Sequence, residues 1–127
     1  MKKFVASTIK CYEEDGVLII ALGDDPENPA NFMMITRLDD EDNATVNDGI
    51  GFQTHEADYE MPDAIAKVSL RSDSLEVLVK PEYIDFFGDS IFVAEIPPDS
   101  TNSLTQFSAL KDELQTIFSG AQVELVI

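Results

Sequence analysis

The chain has 127 residues, a length typical of one domain, and 44% of them are hydrophobic, which is enough to bury a core. Its formal net charge is −17, from 25 acidic and 8 basic residues. This excess disfavours binding to nucleic acid or to an anionic membrane, because both would repel the protein, and favours a basic protein or a cation. We therefore expect residues 1–127 to form a single domain.

The sequence favours a cytoplasmic location. A single cysteine, Cys11, excludes an internal disulfide and fits a reducing compartment. The basic start "MKKFVAS" resembles a signal peptide, but Lys10 and the acids at 13–15 interrupt the apolar stretch that should follow. No apolar run approaches the roughly 18 residues that a membrane helix requires.

The first half of the chain predicts four strands separated by turn-forming and acidic loops. "FVASTIKC" is rich in β-branched and small residues, "GVLIIAL" is a continuous apolar run, and "YEEDG" between them indicates a hairpin. The two prolines of "DDPENPAN" predict a loop. The predicted strands are residues 4–11, 16–22, 32–37 and 50–55.

The second half predicts a hairpin, a short helix, a strand and a final helix. Residues 65–71 and 74–80 alternate, with Ala66, Val68 and Leu70 expected on one face. Pro81 and Gly88 bracket a short helix over about 81–87. A second helix over about 104–119 follows from helical spacing of apolar residues and a capping pattern, and Gly120 ends it. The remaining strands are predicted within residues 91–96 and 122–127.

This order of elements predicts the α+β class, as a mostly antiparallel β-sheet with the short helix and the C-terminal helix packed on one face.

Acidic residues are concentrated between Glu13 and Asp63. That segment holds fifteen acids and one base, Arg37, and accounts for fourteen of the seventeen net negative charges. Three interpretations remain open: a metal loop, a solvated loop that only confers solubility, or a surface that meets a basic partner. We take the last as the working hypothesis, with these candidate partner-binding residues: Asp39, Asp40, Glu41, Asp42, Asp48, Glu56 and Asp58.

The residues give no pattern for metal binding, a cofactor or catalysis. Counting back from Gly49 puts Ala44 and Val46 where a calcium loop needs oxygen ligands. His55 is the single histidine, and neither a Gly-x-Ser-x-Gly elbow nor a glycine-rich phosphate loop is present. We therefore expect no enzyme, no metal and no cofactor, with Cys11 as a buried, inert thiol. A pocket in which two or three acids accompany His55 would instead favour an enzyme.

The C-terminal half resembles a known family. The stretch "IAKVSLRSDSLEVLVKPEYIDFFGDSIFVAEIPPDSTNSLTQFSALKDELQTIF", about residues 65–118, is similar to the immunity protein 10 family of bacterial polymorphic-toxin systems. The shared features are a strand, a turn with "SDSL", a second strand, a short helix ending in glycine, a further strand and a final helix. The resemblance implies a cytoplasmic protein that binds and neutralises a cognate toxin and carries no catalytic residues.

Two other kinds of protein fit the same composition. Acidic secretion chaperones for exported effectors resemble the chain in size, acidity and α+β character, and a helix at residues 1–12 would favour them. A ligand-free structural or binding domain, whose charge only confers solubility, is the other alternative.

Overall fold

Ten strands and two helices are present in the computed structural model, which describes residues 1–39, 43–97 and 103–127, without the side chains of 103–106. The strands are β1 (Lys2–Val5), β2 (Thr8–Glu14), β3 (Val17–Gly23), β4 (Phe32–Arg37), β5 (Ile50–Thr54), β6 (Met61–Pro62), β7 (Ile65–Leu70), β8 (Ser74–Val79), β9 (Ile91–Glu95) and β10 (Glu124–Val126). The helices are α1 (Ile84–Phe87), which continues a 3₁₀ turn at Pro81–Tyr83, and α2 (Ser103–Ile117); another 3₁₀ turn lies at Val46–Gly49.

The strands form two five-stranded sheets rather than the one sheet expected. The first sheet has the order β1-β9-β8-β7-β10, and the second has the order β2-β3-β4-β5-β6. All pairs are antiparallel except β1 with β9 and β10 with β7, which lie at the two edges of the first sheet. The α+β class is confirmed, and so is the mostly antiparallel pairing. None of the helices in the described ranges is long and apolar enough to cross a membrane.

The single strand predicted over residues 4–11 is wrong, because the chain leaves one sheet and enters the other at Ala6 and Ser7. β1 pairs with β9 in the first sheet, whereas β2 pairs with β3 in the second. Phe4 and Ile9 both pack against the hydrophobic core. They are five residues apart and would therefore point to opposite faces of one continuous strand. The crossing lets both side chains face the interior.

The two sheets and α2 share one core. Phe52 of the second sheet lies 5.6 Å from Phe92 of the first and 5.2 Å from Phe87 of α1, measured between ring centroids. The apolar face predicted for α2 is confirmed, since Leu110 and Leu114 are fully buried. The helix packs mainly on β2 and β3. It ends at Ile117, before the predicted end at 119. The predicted capping pattern of Ser103 and Gln106 lies outside the described side chains.

A β-bulge changes which residues of β7 face the core, so the inner face of the β7–β8 hairpin differs from the predicted one. Ile65 is opposite Val79 and Lys67 is opposite Leu78, so Ala66 is an extra residue in β7. The bulge turns Ile65 onto the face that Val68 occupies, and both are buried. Ala66 is only half-buried, so the inner face begins with Ile65 and not with the predicted Ala66.

Arg37, at the end of β4, joins the second sheet to the C-terminal end of α2. One of its terminal nitrogens donates to the backbone carbonyls of Thr116, Ile117 and Ser119, at 3.0, 2.9 and 2.9 Å. Its Nε donates to a carboxylate oxygen of Asp39 at 2.9 Å. The last carbonyls of a helix have no partner within the helix and carry its partial negative charge. The guanidinium therefore satisfies these groups and holds α2 on the sheet.

Replacing Arg37 with Met should destabilise the protein by about 3 kcal/mol, because the carbonyls at the end of α2 lose a charged donor while the aliphatic stem is kept. Arg71→Met is the matched control. Arg71 is 60% exposed and, among the described residues, pairs with Glu76 alone, whereas Arg37 is 14% exposed. The control should cost less than about 1 kcal/mol. Urea unfolding followed by circular dichroism measures both, and equal losses would contradict this role of Arg37.

Candidate functional site

Five carboxylates of the acidic segment and one of α2 lie at one end of the second sheet, which we call the acidic end. Arg37 is opposite both Leu18 of β3 and Ile50 of β5, so the β2–β3 turn, the exit of β4 and the entry to β5 lie at this end. Asp112 of α2 lines a surface groove together with Arg37 and Asp39. The acidic end consists of Glu13, Glu14, Asp15, Asp39, Asp48 and Asp112.

The charge of the acidic end is largely uncompensated. In the parts of the chain that the structure describes, Asp39 is the one member that lies within 4.0 Å of a basic nitrogen, that of Arg37. Of the other seven Lys and Arg residues, five lie within 4.0 Å of a carboxylate oxygen in the described part of the chain. Lys2 pairs with Glu56 at 2.5 Å, and Lys80 pairs with Asp63 at 2.7 Å. Five carboxylates without a basic partner among the described residues are therefore clustered at this end.

The base of the loop after β4 is fixed to the rest of the fold. The N–H of Leu38 donates to the carbonyl of Gly49 at 2.8 Å, and the Asn43 amide donates to the carbonyl of Leu38 at 3.1 Å. A Cβ at Gly49 would overlap the carbonyl oxygen of Leu38, so the close approach of these two backbone segments requires glycine. The side-chain oxygen of the buried Asn47 accepts the N–H of Gln122 at 2.8 Å, which ties the loop to the segment after α2.

Four of the seven sequence-predicted site residues can be placed in the structure. Asp39 and Asp48 belong to the acidic end, whereas Asp40, Glu41 and Asp42 lie outside the described residues. Glu56 and Asp58 lie beyond the opposite end of β4, which spans six residues or about 17 Å. Glu56 is already paired with Lys2, and Asp58 is exposed. The predicted set therefore divides between two separate surfaces.

Sequence reasoning missed an exposed aromatic pair beside Asp58. Tyr59 is 57% exposed, and its ring centroid lies 4.9 Å from that of Phe86. Phe87 of the short helix is buried, whereas its neighbour Phe86 is only half-buried. Adjacent residues of a helix point about 100° apart, so a single turn cannot direct both rings into the core. From the sequence alone, this geometry predicts that one of the two adjacent rings, here that of Phe86, stays partly exposed.

A second missed feature is the carboxyl group of Glu113, which lies between α2 and β2 beside the acidic end. Its Oε1 is buried and has no hydrogen-bond partner within the described residues. Burial, and then the nearby charge of Glu13, raise the pKa of Glu113. Burial also raises the pKa of the Cys11 thiol to about 11, with the charge of Glu113 adding to the effect. Cys11 is half-buried and not fully buried as the sequence predicts, and its thiol is protonated at neutral pH.

No metal-binding cluster is present within residues 1–39, 43–97 and 107–127. No three His, Cys, Asp or Glu side chains are placed to hold one metal ion there. His55 lines a cavity in which Glu56 is the accompanying acid, and its Nδ1 accepts the N–H of Phe32 at 3.2 Å. The cavity therefore lacks the two or three acids that would favour an enzyme.

Neither the comparison with protein-family models nor that with curated proteins gives a match. The resemblance of residues 65–118 to immunity proteins therefore stays a hypothesis.

Replacing Glu113 with Gln should raise the free energy of unfolding at pH 7 by about 1 kcal/mol, because a buried charge without a partner is removed. The folded-state pKa of Glu113 lies above its ordinary value of 4.5, so ionisation destabilises the folded state. The gain should therefore grow as the pH rises through 4.5 and vanish at lower pH.

Glu82→Gln, the same substitution at an exposed residue outside the acidic end, is the control for this prediction. Its effect should be small and should lack the same pH dependence. Urea unfolding at pH 3.5 and 7 distinguishes the two variants. The stability gain of Glu113→Gln over the wild type should be larger at pH 7 than at pH 3.5. An equal or smaller gain at pH 7 would contradict a destabilising charge on Glu113.

Proposed function

We propose that this protein is a cytoplasmic immunity protein, which binds a basic toxin domain through the acidic end and thereby neutralises it. The observation that carries the proposal is the uneven charge compensation. Five of the six carboxylates of the acidic end have no basic partner within the described residues, whereas four of the six lysines pair with acids outside it.

Uncompensated charge on a fixed scaffold suits rapid capture of an oppositely charged protein. Long-range attraction raises the association rate by orders of magnitude at low salt, and the effect falls as salt screens it. The acidic end is built on a sheet and a helix, held together by Arg37, and its charges therefore need little ordering when a partner binds. Because basic surfaces bind nucleic acids and anionic membranes, an acidic protein that covers one blocks either contact.

Toxin neutralisation, as distinct from basic-protein binding in general, comes from the family resemblance. Residues 65–118 contain a hairpin, a short helix that ends at Gly88, a further strand and a final helix, which is the order of elements on which the resemblance rests. Gly88 has a φ of 80°, the left-handed conformation that favours glycine at a helix end. The same stretch supplies Asp112 to the acidic end.

The chaperone alternative gains no support from the first residues. A helix over residues 1–12 would favour it, and that stretch instead contains β1 and most of β2. If the charge conferred solubility alone, no partner should bind in a strongly salt-dependent manner.

The proposal predicts one basic partner that is retained at low salt and released only at high salt. A tagged copy of this protein, produced in the organism that encodes it, should retain such a partner in equimolar amount. The partner should be toxic when expressed alone and harmless when expressed with this protein. Recovery of several exported effectors would instead favour a chaperone, and a captured partner that is not toxic would contradict the immunity function.

A control variant separates capture by the acidic end from nonspecific charge effects in the same experiment. Glu14→Gln with Asp15→Asn should reduce both retention and protection. Glu82→Gln with Asp85→Asn changes the same number of charges on exposed residues of the short helical segment and should leave both unchanged.

A further inference from the structure

A half-open cavity of about 240 Å³ lies between β1 of the first sheet and the β4–β5 pair of the second. Three phenylalanine rings line it, those of Phe4, Phe32 and Phe92, together with the buried Met33. Its position differs from that of the acidic end, because Phe32 begins β4 whereas Arg37 ends it. The cavity plays no part in the function proposed above.

The hydroxyl group of Thr54 lies beside the cavity. The residue lines the cavity and is 3% exposed, and its Oγ1 is buried without a hydrogen-bond partner among the described residues. Thr54 is opposite Met33 in the sheet, so both side chains lie on the inner face. A buried hydroxyl without a partner is unfavourable and uncommon. Its place beside an apolar cavity indicates a ligand that supplies the missing hydrogen bond.

The charges around the cavity are already satisfied. Lys2 pairs with Glu56 at 2.5 Å, and Lys3 pairs with Glu95 at 2.7 Å. The Asn31 amide donates to Asp24 at 2.9 Å. A charged ligand would have to displace one of these contacts to gain a counter-ion, and the protein's net charge of −17 disfavours an anion further. An uncharged ligand leaves all three contacts in place.

We propose that this cavity binds a small, uncharged aromatic molecule with one hydrogen-bonding group, in which the ring lies among the phenylalanines and the polar group bonds to Thr54. A cavity of about 150 Å³ is enough to hold benzene, so one substituted ring fits the volume found here. Aromatic walls favour an aromatic ligand, because edge-to-face and offset contacts add to the burial of apolar area.

The test compares phenol, toluene and benzoate as probes of the full-length protein, by titration followed in ¹H–¹⁵N NMR spectra. Phenol should bind saturably and shift the amide signals of Phe32, Thr54 and Phe92. It should bind about fivefold more tightly than toluene, which has nearly the same shape and no hydrogen-bonding group. Benzoate should bind more weakly than phenol.

Thr54→Val removes the hydroxyl while keeping the side-chain shape, and should abolish the preference for phenol over toluene. Thr54→Ser keeps a hydroxyl and should retain the preference, which covers the case in which the valine variant folds poorly. Thr116 is an exposed residue of α2, near the other end of the second sheet, and Thr116→Val should leave the preference unchanged. The proposal is overturned by non-saturable shifts, by equal affinity for phenol and toluene, or by tighter binding of benzoate. None of these results depends on a protein partner.

Discussion

The guanidinium of Arg37 is the contact on which the arrangement of sheet, helix and acidic loop depends. It satisfies three carbonyls at the end of α2 and one carboxylate oxygen of Asp39. Its side chain is 14% exposed, so these bonds form where water competes poorly. In a segment with fifteen acids and no other base, this one cation fixes α2 against β4 and places Asp112 beside Asp39. The other five carboxylates of the acidic end have no basic partner among the described residues.

This division between compensated and uncompensated charge links the fold to the proposed function. Salt bridges at exposed positions, such as that of Lys3 with Glu95, contribute little stability but pair several acids outside the acidic end with a base. At the acidic end, mutual repulsion opposes folding, and Glu113 adds a half-buried carboxylate whose Oε1 has no hydrogen-bond partner among the described residues. Binding of a basic protein would relieve both. The immunity function remains a proposal that rests on this charge distribution and on the resemblance of residues 65–118.

The sequence predicts the parts of the fold that depend on local chemistry. The β7–β8 hairpin, the end of the short helix at Gly88 and the buried face of α2 follow from alternation, from glycine and from helical spacing. The division into two sheets does not, because a crossing at Ala6 and Ser7 leaves no Pro or Gly to mark it. For the site, the density of acids predicts Asp39 and Asp48. The proximity of Asp39 to Asp112 depends on the tertiary contacts of Arg37, which no local pattern encodes.

Association kinetics of two matched triple variants with the basic partner test the central claim most directly. The first combines Glu14→Gln, Asp15→Asn and Asp112→Asn at the acidic end, and the second combines Asp58→Asn, Glu82→Gln and Asp85→Asn; all six residues are exposed. Both variants change the net charge by the same amount. We expect the first to slow association at low salt by about tenfold and to flatten its salt dependence, and the second to change the rate by less than about threefold. Equal effects, or a larger effect of the second variant, would contradict binding through the acidic end.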